Sequence, residues 1–149
     1  MANKHGDFIW YELMTADPGA AAKFYSDVVG WSVADSGQAG MDYRILQAPA
    51  EAGADEGAPI GGMLSLSAET RAGGAAPGWF GYVAVADTDA AAQRIAAAGG
   101  SVVRSPWDIP DVGRAAMVAD GQGTPFYVMR LAGDFASLAF AHDRPRPGH

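Results

Sequence analysis

One carboxylate lies inside an apolar segment near the start of the chain. In the sequence FIWYELMT the side chains of a predicted strand alternate between two faces, so Glu12 shares a face with Trp10 and Met14. A positioned carboxylate in such surroundings can hold a polar group of a ligand or transfer a proton. Glu12 is therefore the first candidate site residue. A structural pair with a tyrosine hydroxyl or an arginine explains its placement equally well.

The residue types present exclude several other kinds of site. The chain has no cysteine, which excludes thiolate catalysis and cysteine-bound zinc. Its three histidines, His5, His142 and His149, lie in terminal segments, so no interior histidine is available as the base of a serine nucleophile. A paired-carboxylate site needs a second acid, for which Asp42 is the candidate. The remaining polar chemistry centres on Glu12 and the tyrosines.

Charge and hydropathy limit the partners that we expect. The net charge of −7 disfavours binding to nucleic acid and to anionic membrane surfaces. No apolar run reaches the ~18 residues that a membrane-spanning helix needs. The N-terminal sequence MANKHGDF lacks the apolar core of a signal peptide. A cytoplasmic protein with a small-molecule partner is the expectation.

An internal repeat organises the sequence. The segment WYELMTADPGAAAKFYSDVVGWSV from Trp10 aligns without gaps with FGYVAVADTDAAAQRIAAAGGSVV from Phe80. Asp17 meets Asp87 in this alignment, and Gly30 meets Gly100. Two copies of one unit indicate a duplicated module.

Each copy begins with a strand that leads into a helix. Asp17 and Asp87 are predicted N-caps, and the helices are expected to end near Val28 and Ala98. The predicted strands are Phe8–Thr15, Trp31–Ala34, Tyr43–Gln47 and Ile60–Leu66 in the first copy, and Gly78–Val85, Ser101–Arg104, Arg114–Ala119 and Pro125–Leu131 in the second. Each copy is therefore predicted to be a βαβββ module.

The expected organisation is one domain over residues 1–149. Module 1 covers about 7–67, a linker about 68–77, module 2 about 78–131 and a C-terminal tail about 132–149. The acidic, Gly- and Pro-rich segment 48–59 is predicted to be a loop. The predicted fold class is α+β, with both modules forming one curved mixed sheet, an open cup with its helices on the outer face.

The sequence resembles the vicinal oxygen chelate superfamily, which includes glyoxalase I, bleomycin-resistance proteins and extradiol dioxygenases. Three segments carry the resemblance: AD-x-x-AAA-x-FY-x-x-x-x-GW from Ala16, AD-x-DAAAQRIAAAGG from Ala86, and DGQGTPFYVM from Asp120. The resemblance extends over nearly the whole chain. It implies tandem βαβββ modules with a cleft inside the cup.

The resemblance also implies positions for a divalent metal, which is the family's usual cofactor. Matched by position, these are Trp10 and Phe80 in the first strands, and Tyr127 and Gly61 in the last strands. None has a side chain that is a good ligand for a divalent ion. We therefore expect no cofactor and no metal ligands, which argues against glyoxalase-like lyase or dioxygenase activity.

Aromatic side chains occupy three of these four positions. Glu12 and its repeat partner Tyr82 each follow a lost ligand position by two residues, so both are expected to point into the cup. Aromatic walls with a few polar groups are typical of small-molecule pockets. The predicted ligand-binding residues are Trp10, Glu12, Phe80, Tyr82, Trp107 and Tyr127, with Glu12, Tyr82 and Tyr127 as the catalytic candidates.

Three functions are compatible with this site. The first is metal-free binding of a small, partly aromatic molecule. The second is metal-independent catalysis with Glu12 as acid or base, and the third is a lyase or dioxygenase with unusual metal ligands. Burial is expected to raise the pKa of Glu12, unless Arg44 or Arg114 lies beside it. A homodimer is also expected, through apolar surface at Trp31, Trp79 and Trp107.

Overall fold

The computed structural model describes residues 3–37, 40, 42–50, 52–53 and 57–133. Part of the predicted loop 48–59 lies outside the described residues. So do His142, His149 and all but the first two residues of the predicted C-terminal tail.

The chain divides into two compact units. Within the described residues, the first unit comprises 10–79, and the second combines 3–9 with 80–133. The first residues of the chain belong with the second unit. The backbone of Gly6 and Asp7 accounts for this, since it exchanges two hydrogen bonds of 2.8 Å with Ala84.

The first unit is built on a mixed four-stranded sheet. Strand β1 lies parallel to β4, while β3 is antiparallel to both β2 and β4, which gives the order β2-β3-β4-β1. The elements are β1 (Phe8–Thr15), α1 (Pro18–Val29), β2 (Ser32–Asp35), β3 (Tyr43–Gln47), β4 (Pro59–Ser65) and the short helix α2 (Ala68–Ala72).

The second unit repeats this arrangement. Strand β5 lies parallel to β8, and β7 is antiparallel to its neighbours, which gives the order β5-β8-β7-β6. The elements are β5 (Gly78–Ala84), α3 (Thr88–Ala97), β6 (Ser101–Ile109), β7 (Gly113–Ala119) and β8 (Pro125–Leu131). Two βαβββ modules of mixed α+β class confirm the predicted fold class.

The predicted helix caps are confirmed in both modules. The Asp17 side chain accepts a hydrogen bond from the Ala20 backbone N–H, and the Asp87 side chain accepts one from Ala90, each at 3.0 Å. Helix α1 ends at Gly30, whose φ of 74° is a left-handed conformation that glycine adopts without steric cost. The repeat therefore extends to individual capping contacts.

The long helix of each module covers one face of its sheet. Against α1, the core contains Leu13, Leu46 and Met63. Against α3, it contains Ala116, Val118 and Val128. We call the opposite face the far face of each sheet. Strand alternation turns the residues next to these core positions towards the far face.

Two elements differ from the sequence prediction. The predicted linker contains helix α2, which Ser67 caps by accepting a hydrogen bond from the Thr70 N–H. The predicted end of the sixth strand at Arg104 is wrong, because β6 continues to Ile109. Pro106 lies inside this strand. It is tolerated there because β6 is the last strand in the order of its sheet and has register shifts on both sides of Arg104.

No helix among the described residues is both long enough and apolar enough to cross a membrane.

Candidate functional site

A hydrogen-bonded network surrounds the carboxylate of Glu12 on the far face of the first unit. The Trp10 Nε1–H donates to the Tyr43 hydroxyl at 3.0 Å. Tyr43 is also hydrogen-bonded to Glu12. Glu12 is only 5% exposed, so this carboxylate is held inside the protein. An acid in these surroundings can accept a hydrogen bond from a ligand or exchange a proton with it.

The electrostatics of Tyr43 reflect this placement. Burial raises the pKa of the Tyr43 phenol, and the nearby Glu12 carboxylate raises it further, while the hydrogen bond from Trp10 acts in the opposite direction. The phenol therefore stays protonated and donates its proton to Glu12. The network runs from the indole through the phenol to the carboxylate.

Gly62 creates the space that Tyr43 occupies. Gly62 is the register partner of Glu12 on β4, and a Cβ atom added to it would lie 1.8 Å from the Tyr43 hydroxyl oxygen. The tyrosine ring thus packs directly over the bare backbone of Gly62. A glycine inside a strand often marks such a close approach.

Sequence reasoning did not identify Tyr43 as a site residue. The available signal was the pair Gly61-Gly62 inside a predicted strand, beside a second strand that begins with a tyrosine. The predicted equivalence of Gly61 with Tyr127 is also wrong by one residue. Tyr127 pairs with Tyr82, and Glu12, the repeat partner of Tyr82, pairs with Gly62.

The other polar residues considered near Glu12 have partners elsewhere. Arg44 Nε lies 3.1 Å from a carboxylate oxygen of Asp42, which is exposed. The Arg114 guanidinium binds Asp89 at 2.7 Å and Asp108 at 3.2 Å. These contacts assign both arginines to other carboxylates.

An aromatic column lies on the far face of the second unit. The buried rings of Tyr82 and Tyr127 stack with centroids 4.2 Å apart and an interplanar angle of 6°. Trp107 meets Tyr127 edge-to-face with centroids 6.2 Å apart. Arg104 completes the column, with Cζ 3.7 Å from the centroid of the Trp107 ring. Phe80 is half-buried and precedes Tyr82 by two residues on β5.

The six predicted ligand-binding residues thus fall into two groups. Trp10 and Glu12 belong to the first unit, and the other four belong to the second. Their role in ligand binding stays a prediction. A single pocket lined by all six residues stays a prediction.

The residues present do not fit the metal that the fold family implies. The Trp10 indole donates its N–H to Tyr43, and the Tyr127 ring is stacked on Tyr82. Phe80 and Gly61 offer no donor atom in their side chains. Among the described residues, no group of three or more His, Cys, Asp and Glu side chains is arranged to hold a metal ion.

Asp120, which we expect to stabilise a turn, makes hydrogen bonds with the backbone of that turn. The Asp120 side chain accepts backbone hydrogen bonds from Gln122 and Thr124, at 2.9 and 3.0 Å. The bond from Thr124, followed by the one from Gln122, lowers the pKa of this carboxyl. His5 is exposed.

Sequence comparison assigns the family. The profile of the Glyoxalase/Bleomycin resistance protein/Dioxygenase superfamily matches residues 8–127. The chain belongs to this superfamily. The proposed resemblance is thereby confirmed.

Two kinds of relative illustrate the range of this superfamily. The Mycobacterium tuberculosis protein named "Putative glyoxylase CFP32" is 40% identical over 133 residues, which cover 89% of this chain and 47% of that protein. "Anthracycline biosynthesis protein DnrV" of Streptomyces peucetius is 32% identical over 137 residues, which cover 81% of this chain and 46% of that protein. The chain spans about half the length of these curated relatives.

Solved structures share the fold. Methylmalonyl-CoA epimerase from Mycobacterium tuberculosis superimposes with a TM-score of 0.60, covering 89% of this chain and 93% of the epimerase. The sequence identity is 18%, so this likeness concerns the fold alone.

Proposed function

We propose that this superfamily member binds a small, partly aromatic molecule on the far face of its sheet, without a resident metal. The observation that carries the proposal is the buried Glu12 carboxylate, which Tyr43 and Trp10 hold in place. A ligand with a hydroxyl or N–H group would donate to this carboxylate while its ring packs on the half-buried Trp10. A few oriented polar groups among aromatic side chains are typical of specific small-molecule sites.

The name of one kind of relative supports an aromatic ligand. One relative is named for the biosynthesis of anthracyclines, which are planar, fused-ring compounds. The glyoxylase name of another relative concerns a protein about twice as long, so an enzymatic activity of that kind is a separate proposal here.

The second candidate function is metal-independent catalysis with Glu12 as acid or base. The neighbouring Tyr43 phenol favours it, because a carboxylate that shares a hydrogen bond with a protonated phenol has a defined route for a proton. That Tyr82 or Tyr127 orients the substrate stays a prediction. A lyase or dioxygenase with unusual metal ligands is the third candidate, and the donor-poor side chains at the family's metal positions argue against it.

Binding to a panel of aromatic compounds tests the proposal. The full chain would be titrated by calorimetry, with Glu12→Gln as the test variant and Glu69→Gln, on the exposed helix α2, as the matched control. Glutamine preserves shape but removes the charge, so we expect about a tenfold loss of affinity, or ~1.4 kcal/mol, as for a charge-assisted hydrogen bond. Glu69→Gln should bind like the wild type.

Two results would contradict the proposal. One is unchanged affinity in Glu12→Gln, which would make Glu12 a structural residue. The other is a stoichiometric divalent metal, found by elemental analysis of the purified chain and lost on substitution of far-face residues. An NMR titration of the Glu12 carboxyl, in the presence and absence of ligand, would be compared with the pH dependence of turnover. This comparison separates binding from catalysis, because only the catalytic hypothesis requires turnover to follow the titration of Glu12.

The proposed partner, besides the ligand, is a second copy of the chain. Trp79 is 41% exposed and lies beside Tyr25 and the half-buried Trp31, with ring centroids 5.4 and 5.8 Å away. Phe24 and Val28 on α1 are also exposed, which gives this surface apolar character. Light scattering that finds only the mass of one chain at micromolar concentration would refute the homodimer. A cytoplasmic location also belongs to the proposal, and cell fractionation tests it.

A further inference from the structure

Arg104 lies at the exposed end of the aromatic column. Its guanidinium carbon is 3.7 Å from the centre of the Trp107 ring, which is the geometry of a cation–π contact. Within the part of the chain that the structure describes, this exposed arginine makes no ion pair. Its charge is therefore oriented by the indole, and no carboxylate among the described residues neutralises it.

An irregularity in β6 brings Arg104 and Trp107 together. Residues three apart on a regular strand point to opposite faces. Here Arg104 pairs with Met117 and Trp107 pairs with Ala115, so three steps along β6 match two steps along β7. The extra residue is a β-bulge, a feature that redirects side chains and is frequent beside functional sites. It places both side chains on the face that carries Tyr127.

The contacts of Arg104 leave its hydrogen-bonding edge available. Stacking on an indole uses the flat face of a guanidinium, whereas its N–H groups point outward in the plane of the group. A carboxylate fits this edge with two parallel hydrogen bonds. Because the indole already restricts the arginine, less conformational entropy is lost when an anion binds.

We propose that Arg104, held on Trp107, recognises a carboxylate, so that the far face of the second unit binds a planar aromatic acid. This inference rests on the proposed binding of a partly aromatic molecule and adds the chemical class of that molecule. A protein of net charge −7 repels anions on average, so a local, unneutralised cation is the feature that would select one. The aromatic part of the acid would pack beside Trp107.

A matched pair of probes tests the inference. Anthraquinone-2-carboxylate and the neutral anthraquinone-2-carboxamide would be titrated against the full chain by calorimetry. We expect the wild type to bind the acid at least tenfold more tightly than the amide, as a charge-assisted bidentate contact implies. Arg104→Gln should remove this preference, so that the acid and the amide bind with similar affinity. Arg104→Lys, which keeps the charge without the planar fork, should recover part of the preference.

Arg94→Gln is the matched control, since Arg94 is an exposed arginine on α3, away from the far face. It should keep the full preference for the acid, and circular dichroism would confirm that all variants are folded. Equal binding of the two probes by the wild type would overturn the Arg104 inference and leave the proposed function standing. Binding of neutral aromatic compounds without any binding of the acid would have the same two consequences. If no aromatic compound bound at all, both proposals would fall.

Discussion

Glu12 and Tyr82 occupy the same position in the two copies of the repeat, yet their surroundings differ in kind. In the first unit a buried carboxylate accepts a hydrogen bond from a phenol, which itself accepts one from an indole. In the second unit two phenol rings stack and lead through Trp107 to Arg104. One far face contains a buried carboxylate and the other a guanidinium cation. Duplication has preserved the framework while the polar chemistry has diverged.

A single strand position explains much of the difference. The last strand of the second module supplies Tyr127 opposite Tyr82, whereas the last strand of the first supplies Gly62 opposite Glu12. The missing side chain leaves room, and Tyr43 from the adjacent strand fills it. Each far face thus has a tyrosine ring beside the position that Glu12 or Tyr82 occupies. This tyrosine comes from β3 in the first unit and from β8 in the second.

The largest expected effect comes from closing that space. In Gly62→Ala the new methyl group would overlap the Tyr43 ring, so the ring must leave and the network with Trp10 must break. We expect a loss of about 1–3 kcal/mol in the free energy of unfolding, measured in urea. Gly73→Ala is the control, because its nearest neighbouring atom would be 3.4 Å away. Equal stability of both variants would show that Tyr43 does not depend on Gly62.

The contribution of Tyr43 to the free energy of unfolding should decrease at alkaline pH. Its pKa is raised in the folded chain, first by burial and then by Glu12, so above pH ~10 the unfolded chain releases a phenol proton that the folded chain keeps. Tyr43 therefore contributes stability that is complete below pH ~10 and is lost as the pH rises towards the folded pKa. The difference in unfolding free energy between wild type and Tyr43→Phe should shrink by up to about 1.4 kcal/mol per pH unit. A difference that stays constant from pH 9 to 11 would contradict this.

The aromatic column should show coupling between its rings. A double-mutant cycle with Tyr82→Leu and Tyr127→Leu should give an interaction energy of about 0.5–1.5 kcal/mol, as expected for rings that stack at 4.2 Å. The cycle between Trp107 and Tyr127, whose centroids are 6.2 Å apart, should give a smaller value. Additive losses in the first cycle would mean that the stack adds nothing beyond burial.

The smallest expected effects concern the helix N-caps, which the two modules share. Asp17→Ala and Asp87→Ala each remove one capping hydrogen bond of 3.0 Å at an exposed helix start. Each should lower the unfolding free energy by about 0.5–1 kcal/mol, in the range of measured N-caps. A loss of unfolding free energy in only one of the two variants would show that the caps have the same geometry but contribute differently to stability.

The local features of both modules could be predicted from the sequence. The caps at Asp17 and Asp87, the order of strands and helices, and the face shared by Trp10 and Glu12 all follow from neighbouring residues and from the repeat. Such features depend on backbone geometry within a few residues, and the sequence determines them directly.

The partners across strands were decided by the tertiary structure. Tyr43 reaches Glu12 because β3 and β4 pair in a register that sets its ring over Gly62, and Arg104 reaches Trp107 because a bulge changes the register of β6. The register between strands that are distant in sequence is set by packing over the whole sheet, and a shift of one residue turns a side chain to the opposite face. The sequence by itself therefore determined which residues share a face along a regular strand such as β1. Which of them meet to form a polar network or an aromatic column was decided only by the pairing of strands.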